Sequence, residues 1–156
     1  MPIPAAQGLG ALASAQLALY RGDPAKAEAD ARVALAALVI LLPYRFAAYT
    51  TLVRALLSLG RLDAARATAE EALSLLLRLG GTGFTEVELR LCASEAFFAA
   101  GDRERAQAEL AQTLRQVRLR ADKIYDPAWK QSYLLGSPAC ARALELERAW
   151  NNLPSP

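Results

Sequence analysis

Apolar residues recur along the chain at intervals of three and four, and the stretches that carry this spacing are interrupted by glycine, aspartate or proline at regular distances. Three interruptions are alike. In ALYRGDPAKAEADARVAL around Gly22, LLSLGRLDAARATAEEAL around Gly60 and FFAAGDRERAQAELAQTL around Gly101, an apolar run ends in glycine and an alanine follows five positions later (Ala27, Ala65, Ala106). Four positions beyond it comes a second small or apolar residue (Ala31, Ala69, Leu110). One phrase repeated in register is the signature of a repeat architecture, in which each unit buries its apolar face on the next. The glycines lie 38 and 41 residues apart, enough for a helix, a tight turn and a longer second helix.

The spacing predicts a first helix over about Pro4–Tyr20, with Leu12, Ala15 and Leu19 inward and Gly22 ending it. Asp23 caps a second helix with Pro24 in its first turn, and Ala27, Ala31, Ala34, Leu35 and Leu38 give it a narrow apolar face that runs on to Pro43. A third helix over Tyr44–Leu59 turns Tyr49, Leu52, Val53, Leu56 and Leu57 inward, and a fourth over Leu62–Leu79 does so with Ala65, Ala69, Ala72, Leu73 and Leu76. Gly80-Gly81-Thr82-Gly83 reads as a turn. A fifth helix spans about Phe84–Ala100, and a sixth, capped by Asp102, carries Ala106, Leu110, Leu114, Val117, Ala121 and Ile124 up to Asp126-Pro127. Beyond, a short helix, a turn at Gly136-Ser137-Pro138 and a last helix to about Trp150 lack the repeated phrase, as expected of a terminal capping unit. The expectation is an all-α solenoid in one domain, residues 4–152, made of three hairpins (about 4–42, 44–79 and 84–125) and a capping pair (127–151).

Charge removes several function classes. Eighteen basic residues against 16 acidic leave a net +2, too little to imply nucleic acid or an anionic membrane as partner. The most lipid-like run, Val33–Pro43, is about half the ~20 residues of a membrane span, and the N-terminus lacks a basic signal-peptide region, so a cytoplasmic protein without membrane association is expected. The chain has no histidine and only Cys92 and Cys140, which read as buried reduced thiols, so no zinc site and no cofactor are expected. Gly80–Gly83 lacks the pattern of a phosphate loop, and no GxSxG or metal cluster occurs. Carboxylate pairs such as Glu70/Glu71 and Glu145/Glu147 fall on polar helix faces, as do Arg115, Arg118, Arg120 and Lys123, so a non-enzymatic protein is expected. Trp129, Tyr133 and Trp150 read as capping aromatics. Leu38, Val39, Ile40, Leu41 and Leu42 would wrap all round a helix, so one face needs cover from the first helix or from a second copy of the chain, a route to a homodimer.

With these positions in place, the chain resembles a right-handed tetratricopeptide repeat (TPR) superhelix. The second copy fits best, with Tyr49, Leu52, Leu56, Gly60, Ala65, Ala69 and Ala72; the first has Ala18 where a bulky residue is usual, and the third has Phe97, Gly101, Ala106 and Leu110 but Thr113 at the later alanine position. Over about Phe46–Trp150 it is similar to the long-period TPR regions near the C-termini of large bacterial signalling ATPases and maltose-regulator-like transcription factors, through Asp126-Pro127, Tyr133-Leu134 and Ala149-Trp150. The likeness fits a stand-alone protein and a piece of a longer one equally. It implies protein binding or a scaffold role: a concave groove for a peptide or partner helix, lined by Leu12, Gln16, Leu19 and Tyr20, by Thr50, Arg54 and Leu57, and by Glu88, Leu91, Glu95 and Phe98. Arg54 and Glu95 are close enough in this scheme to pair with each other instead. The alternatives are a homodimerisation domain of a larger signalling regulator or a small-molecule sensor, the latter with an aromatic pocket near Trp129 and Tyr133.

Overall fold

Three backbone turns, alike to the atom, set the geometry of the chain. In the computed structural model, which describes residues 4–81, 83 and 85–154, Gly22, Gly60 and Gly101 have φ of 77°, 70° and 86°. At each, the glycine N–H donates to the carbonyl three residues back and the next N–H to the carbonyl five back: Gly22 to Leu19 and Asp23 to Ala18, Gly60 to Leu57 and Arg61 to Leu56, Gly101 to Phe98 and Asp102 to Phe97. This double closure satisfies the orphan carbonyls of a helix end and needs a left-handed residue, which glycine supplies without a Cβ clash. Asp23 and Asp102 then accept from Lys26 N and Arg105 N at the start of the following helix, whereas Arg61 makes no side-chain cap.

The described residues form eight helices and no strand: α1 (Pro4–Tyr20), α2 (Pro24–Ala37), α3 (Leu42–Ser58), α4 (Leu62–Leu79), α5 (Thr85–Ala99), α6 (Arg103–Ala121), α7 (Pro127–Gly136) and α8 (Pro138–Asn151). Helix α3 begins at Leu42 rather than Tyr44, and the ends of α2 and α6 differ further from the sequence expectation. Helix α2 stops at Ala37, because Leu38 leaves helical geometry at φ −96° and ψ 26° and turns into the space between α1 and α3. There it is fully buried, and a Cβ added at Gly8 of α1 would lie 2.8 Å from it. Full burial of such a side chain contributes about 2 kcal/mol, more than the helical hydrogen bonds of a few further residues ahead of Pro43. Helix α6 likewise ends at Ala121, not near Ile124, which is half-buried in the connection to α7. Of the Gly80–Gly83 turn, Gly80 caps α4 at φ 74°; Thr82 and the expected helix start at Phe84 lie outside the described residues.

Helices pack on their neighbours in chain order. Helices α1 and α2 are antiparallel, since Gly8 meets Leu38 at one end and Ala18 clusters with Ala27 at the other. Small residues at the crossings (Ala15, Ala27, Ala31, Ala65, Ala69, Ala106), all fully buried, let the paired helices approach closely. Helix α1 packs on α3 and α3 on α5, while α2, α4 and α6 are joined to one another through ion pairs, Glu28 with Arg61 ahead of α4, Arg66 with Asp102 ahead of α6, and Glu70 with Arg105. One polar clip joins the two helices of each hairpin: Ser14 donates to Asp30 at 2.6 Å, Tyr49 to Glu71 at 2.6 Å, and Arg90 to Glu109 at 2.9 Å. At the C-terminal end α8 lies against α5 and α6, and α7 lies outside, against α6 and α8.

Candidate functional site

Helices α1, α3, α5 and α8 form one face with two depressions. Placement of α8 follows from its own i, i+4 series, Arg142, Leu146 and Trp150, which meets α5 rung by rung: Arg142 Nε donates to Glu95 at 2.9 Å, and the Trp150 indole stacks on Phe98 with centroids 4.5 Å apart and planes 9° from parallel. An offset aromatic stack of this kind contributes about 1 kcal/mol beyond the area it buries. The depression between α8 and α3, of about 640 Å³, is walled by Leu19, Leu57, Leu62, Phe98, Leu146 and Trp150 and carries Arg54, Glu95 and Arg142. Glu95 is held by Arg142, which also reaches Glu145 at 2.9 Å. Arg54 is exposed and has no carboxylate within 4 Å among the described residues; it lies beside the buried thiol of Cys92. The second depression, of about 500 Å³, is mostly apolar and lies between Leu9, Leu12, Ala13 and Gln16 of α1, Pro43, Tyr44 and Ala47 at the start of α3, and Thr85 and Glu88 of α5.

Of the residues expected in a groove, Arg54, Leu57, Glu95, Phe98 and Leu19 line the first depression, and Leu12, Gln16 and Glu88 the second. Three lie elsewhere. Thr50 is buried, its hydroxyl donating to the Phe46 carbonyl, and Leu91 is buried in the core. Tyr20 stands beyond both depressions at 90% exposure. The alternative Arg54–Glu95 pair does not form; α8 brings Arg142 to Glu95 instead. Sequence reasoning missed Arg142, Leu146 and Trp150 as lining residues, having taken the last helix as cover only; their spacing of four was the available signal. In the Leu38–Leu42 run, Leu38 is buried rather than exposed, Leu41 and Leu42 are half-buried, and only Val39 and Ile40 face outward.

A third, smaller cavity of about 280 Å³ lies under Tyr133, among Val87, Glu88, Arg120, Ala139 and Cys140. Trp129 does not line it; this residue is 74% exposed on α7 and is not a capping aromatic. Burial pushes the Cys92 thiol up to about 12, with Arg54 opposing, and burial together with Glu71 raises the Tyr49 phenol to about 12. The Ser14 hydrogen bond, then Lys26, holds Asp30 below its ordinary value. The paired carboxylates are engaged: Glu70 with Arg66 and Arg105, Glu71 with Tyr49, Glu145 with Arg142, and Glu147 with Arg118. Among the described residues no three metal-ligating side chains cluster, and no helix is long and apolar enough to cross a membrane.

Comparison with protein-family models, with curated proteins and with solved structures returns no match. The class that fold and site define is therefore an all-helical protein with a continuous four-helix face.

Proposed function

We propose that the chain is a non-catalytic, TPR-like helical-repeat module, a right-handed solenoid of three hairpins and a cap, that holds a peptide or partner helix along the α1–α3–α5–α8 face. The observation that carries this reading is the larger depression, where apolar walls surround a guanidinium, Arg54, that no carboxylate among the described residues neutralises, while Glu95 is already satisfied by Arg142. An amphipathic segment with apolar anchors and one acidic residue matches it: Leu57, Leu146 and the Phe98–Trp150 stack take the anchors and Arg54 the carboxylate. Repetition of the turn at Gly22, Gly60 and Gly101 supports the repeat reading.

Trp129→Phe leaves Trp150 as the one indole, placed on the wall of the depression, so its fluorescence reports occupancy. Titration with amphipathic helical peptides is expected to give saturable change for acidic members and little for basic ones, and Arg54→Glu to weaken the acidic ones at least tenfold, ~1.4 kcal/mol. No saturation with any peptide at millimolar concentration would sink the reading. The cavity under Tyr133 favours a second reading, a small-ligand sensor, which predicts that Arg120→Ala, not Arg54→Glu, abolishes the response.

A further inference from the structure

The small cavity under Tyr133 is bordered by two opposite charges that do not meet. Arg120 at the end of α6 and Glu88 in the first turn of α5 both line it. Among the described residues no carboxylate lies within 4 Å of Arg120 and no cation within 4 Å of Glu88. Arg120 is half-buried and held from two sides, since its Nη2 donates to the Gly83 carbonyl and its guanidinium faces the Tyr133 hydroxyl. A guanidinium carries five N–H donors, so most of them remain for a ligand. The floor is preformed, because Val87, Ala139 and Cys140 belong to the buried core. At about 280 Å³ the cavity is smaller than the ~300–1,000 Å³ of drug-sized sites, so its occupant is small.

The two charges select that occupant. A half-buried charge without a counter-ion is costly to keep from water. A small anion would neutralise Arg120 but be repelled by Glu88, a small cation would do the reverse, and a neutral molecule would answer neither. A molecule with a carboxylate and an ammonium on one carbon answers both. The first turn of α8 borders the same cavity and has no side-chain cap at Ser137, which adds to the attraction for a carboxylate.

We infer that the cavity takes a free α-amino acid with a small apolar side chain, its carboxylate on Arg120, its ammonium on Glu88 and its side chain over Val87 and Ala139. This rests on the small-ligand reading of the cavity and names the ligand class. It leaves the larger depression to a peptide, since the two share no lining residue.

Calorimetric titration of the intact chain with valine tests this, beside isovalerate, isobutylamine and isobutanol, which lack the ammonium, the carboxylate or both charges. Valine is expected to saturate with a Kd of about 1 mM or tighter, and each analogue to bind at least tenfold more weakly. Arg120→Met is expected to weaken valine and isovalerate at least tenfold and leave isobutylamine as tight or tighter, whereas Glu88→Gln weakens valine and isobutylamine and spares isovalerate. Circular dichroism checks that both variants fold; Glu88→Gln conserves volume at an exposed position, so the test survives should Arg120→Met unfold. An analogue that binds as tightly as valine, or valine binding indifferent to Glu88→Gln, overturns the inference while the small-ligand reading stands. No saturation by any of the four up to about 20 mM sinks both.

Discussion

Cys92 and Tyr49 lie within one turn of the α3–α5 contact and carry the two protonations most altered by folding. The thiol keeps its proton up to about 12 when folded against 9 when free, and the phenol up to about 12 against 10. Between those limits the unfolded chain binds fewer protons than the folded one, so stability is intact below pH 9 and falls as pH rises, by about 1.4 kcal/mol per pH unit for each group titrating. Urea midpoints followed from neutral to about pH 11 should decline from pH 9 and more steeply above 10, with Cys92→Ala shallower in slope. A flat profile would mean that neither group is as deeply protected as its surroundings indicate. At this scale the sequence was partly readable. It marked Cys92 as a buried thiol, but not the partners of Tyr49 or Arg90, since a clip between helices depends on rotation angles that spacing alone leaves free.

Helix extents were legible where an intrinsic breaker stands, at Gly22, Gly60, Gly101 and Pro127, and illegible where tertiary packing decides. Leu38 illustrates the second case. Nothing local stops α2 at Ala37; the vacancy over Gly8, defined by another helix, draws Leu38 out of register. The small residues at turn plus five belong to the first kind, and Ala65 offers the sharpest test of the hairpin crossing because it is fully buried between α3 and α4. Ala65→Leu should overpack that crossing and cost about 1–3 kcal/mol in chemical denaturation. An unchanged midpoint would show that the second hairpin has room that its alanines do not suggest.

On the scale of the whole molecule, the face built by α1, α3, α5 and α8 depends on one residue more than any other. Trp150 seals the core at the last helix, stacks on Phe98 and walls the larger depression. Trp150→Ala should cost about 3–5 kcal/mol of stability in calorimetry or denaturant titration, and in the folded fraction it should flatten the depression and weaken peptide binding with it. A variant as stable as the parent would place α8 elsewhere. This role was hidden in the sequence because the C-terminal segment lacks the repeated phrase, and only the stacking against α5 reveals that α8 extends the same row of helices. The way the outer helices are joined has a mechanical outcome as well. Arg61 reaches Glu28 of α2, Arg66 of α4 reaches Asp102, and Arg105 of α6 reaches Glu70 of α4, so the outer layer is tied by ion pairs at the surface, whereas the inner row is tied by buried side chains. Exposed pairs of this kind contribute less than ~1 kcal/mol each and weaken as salt screens them, so the back of the molecule loosens with ionic strength while its core does not.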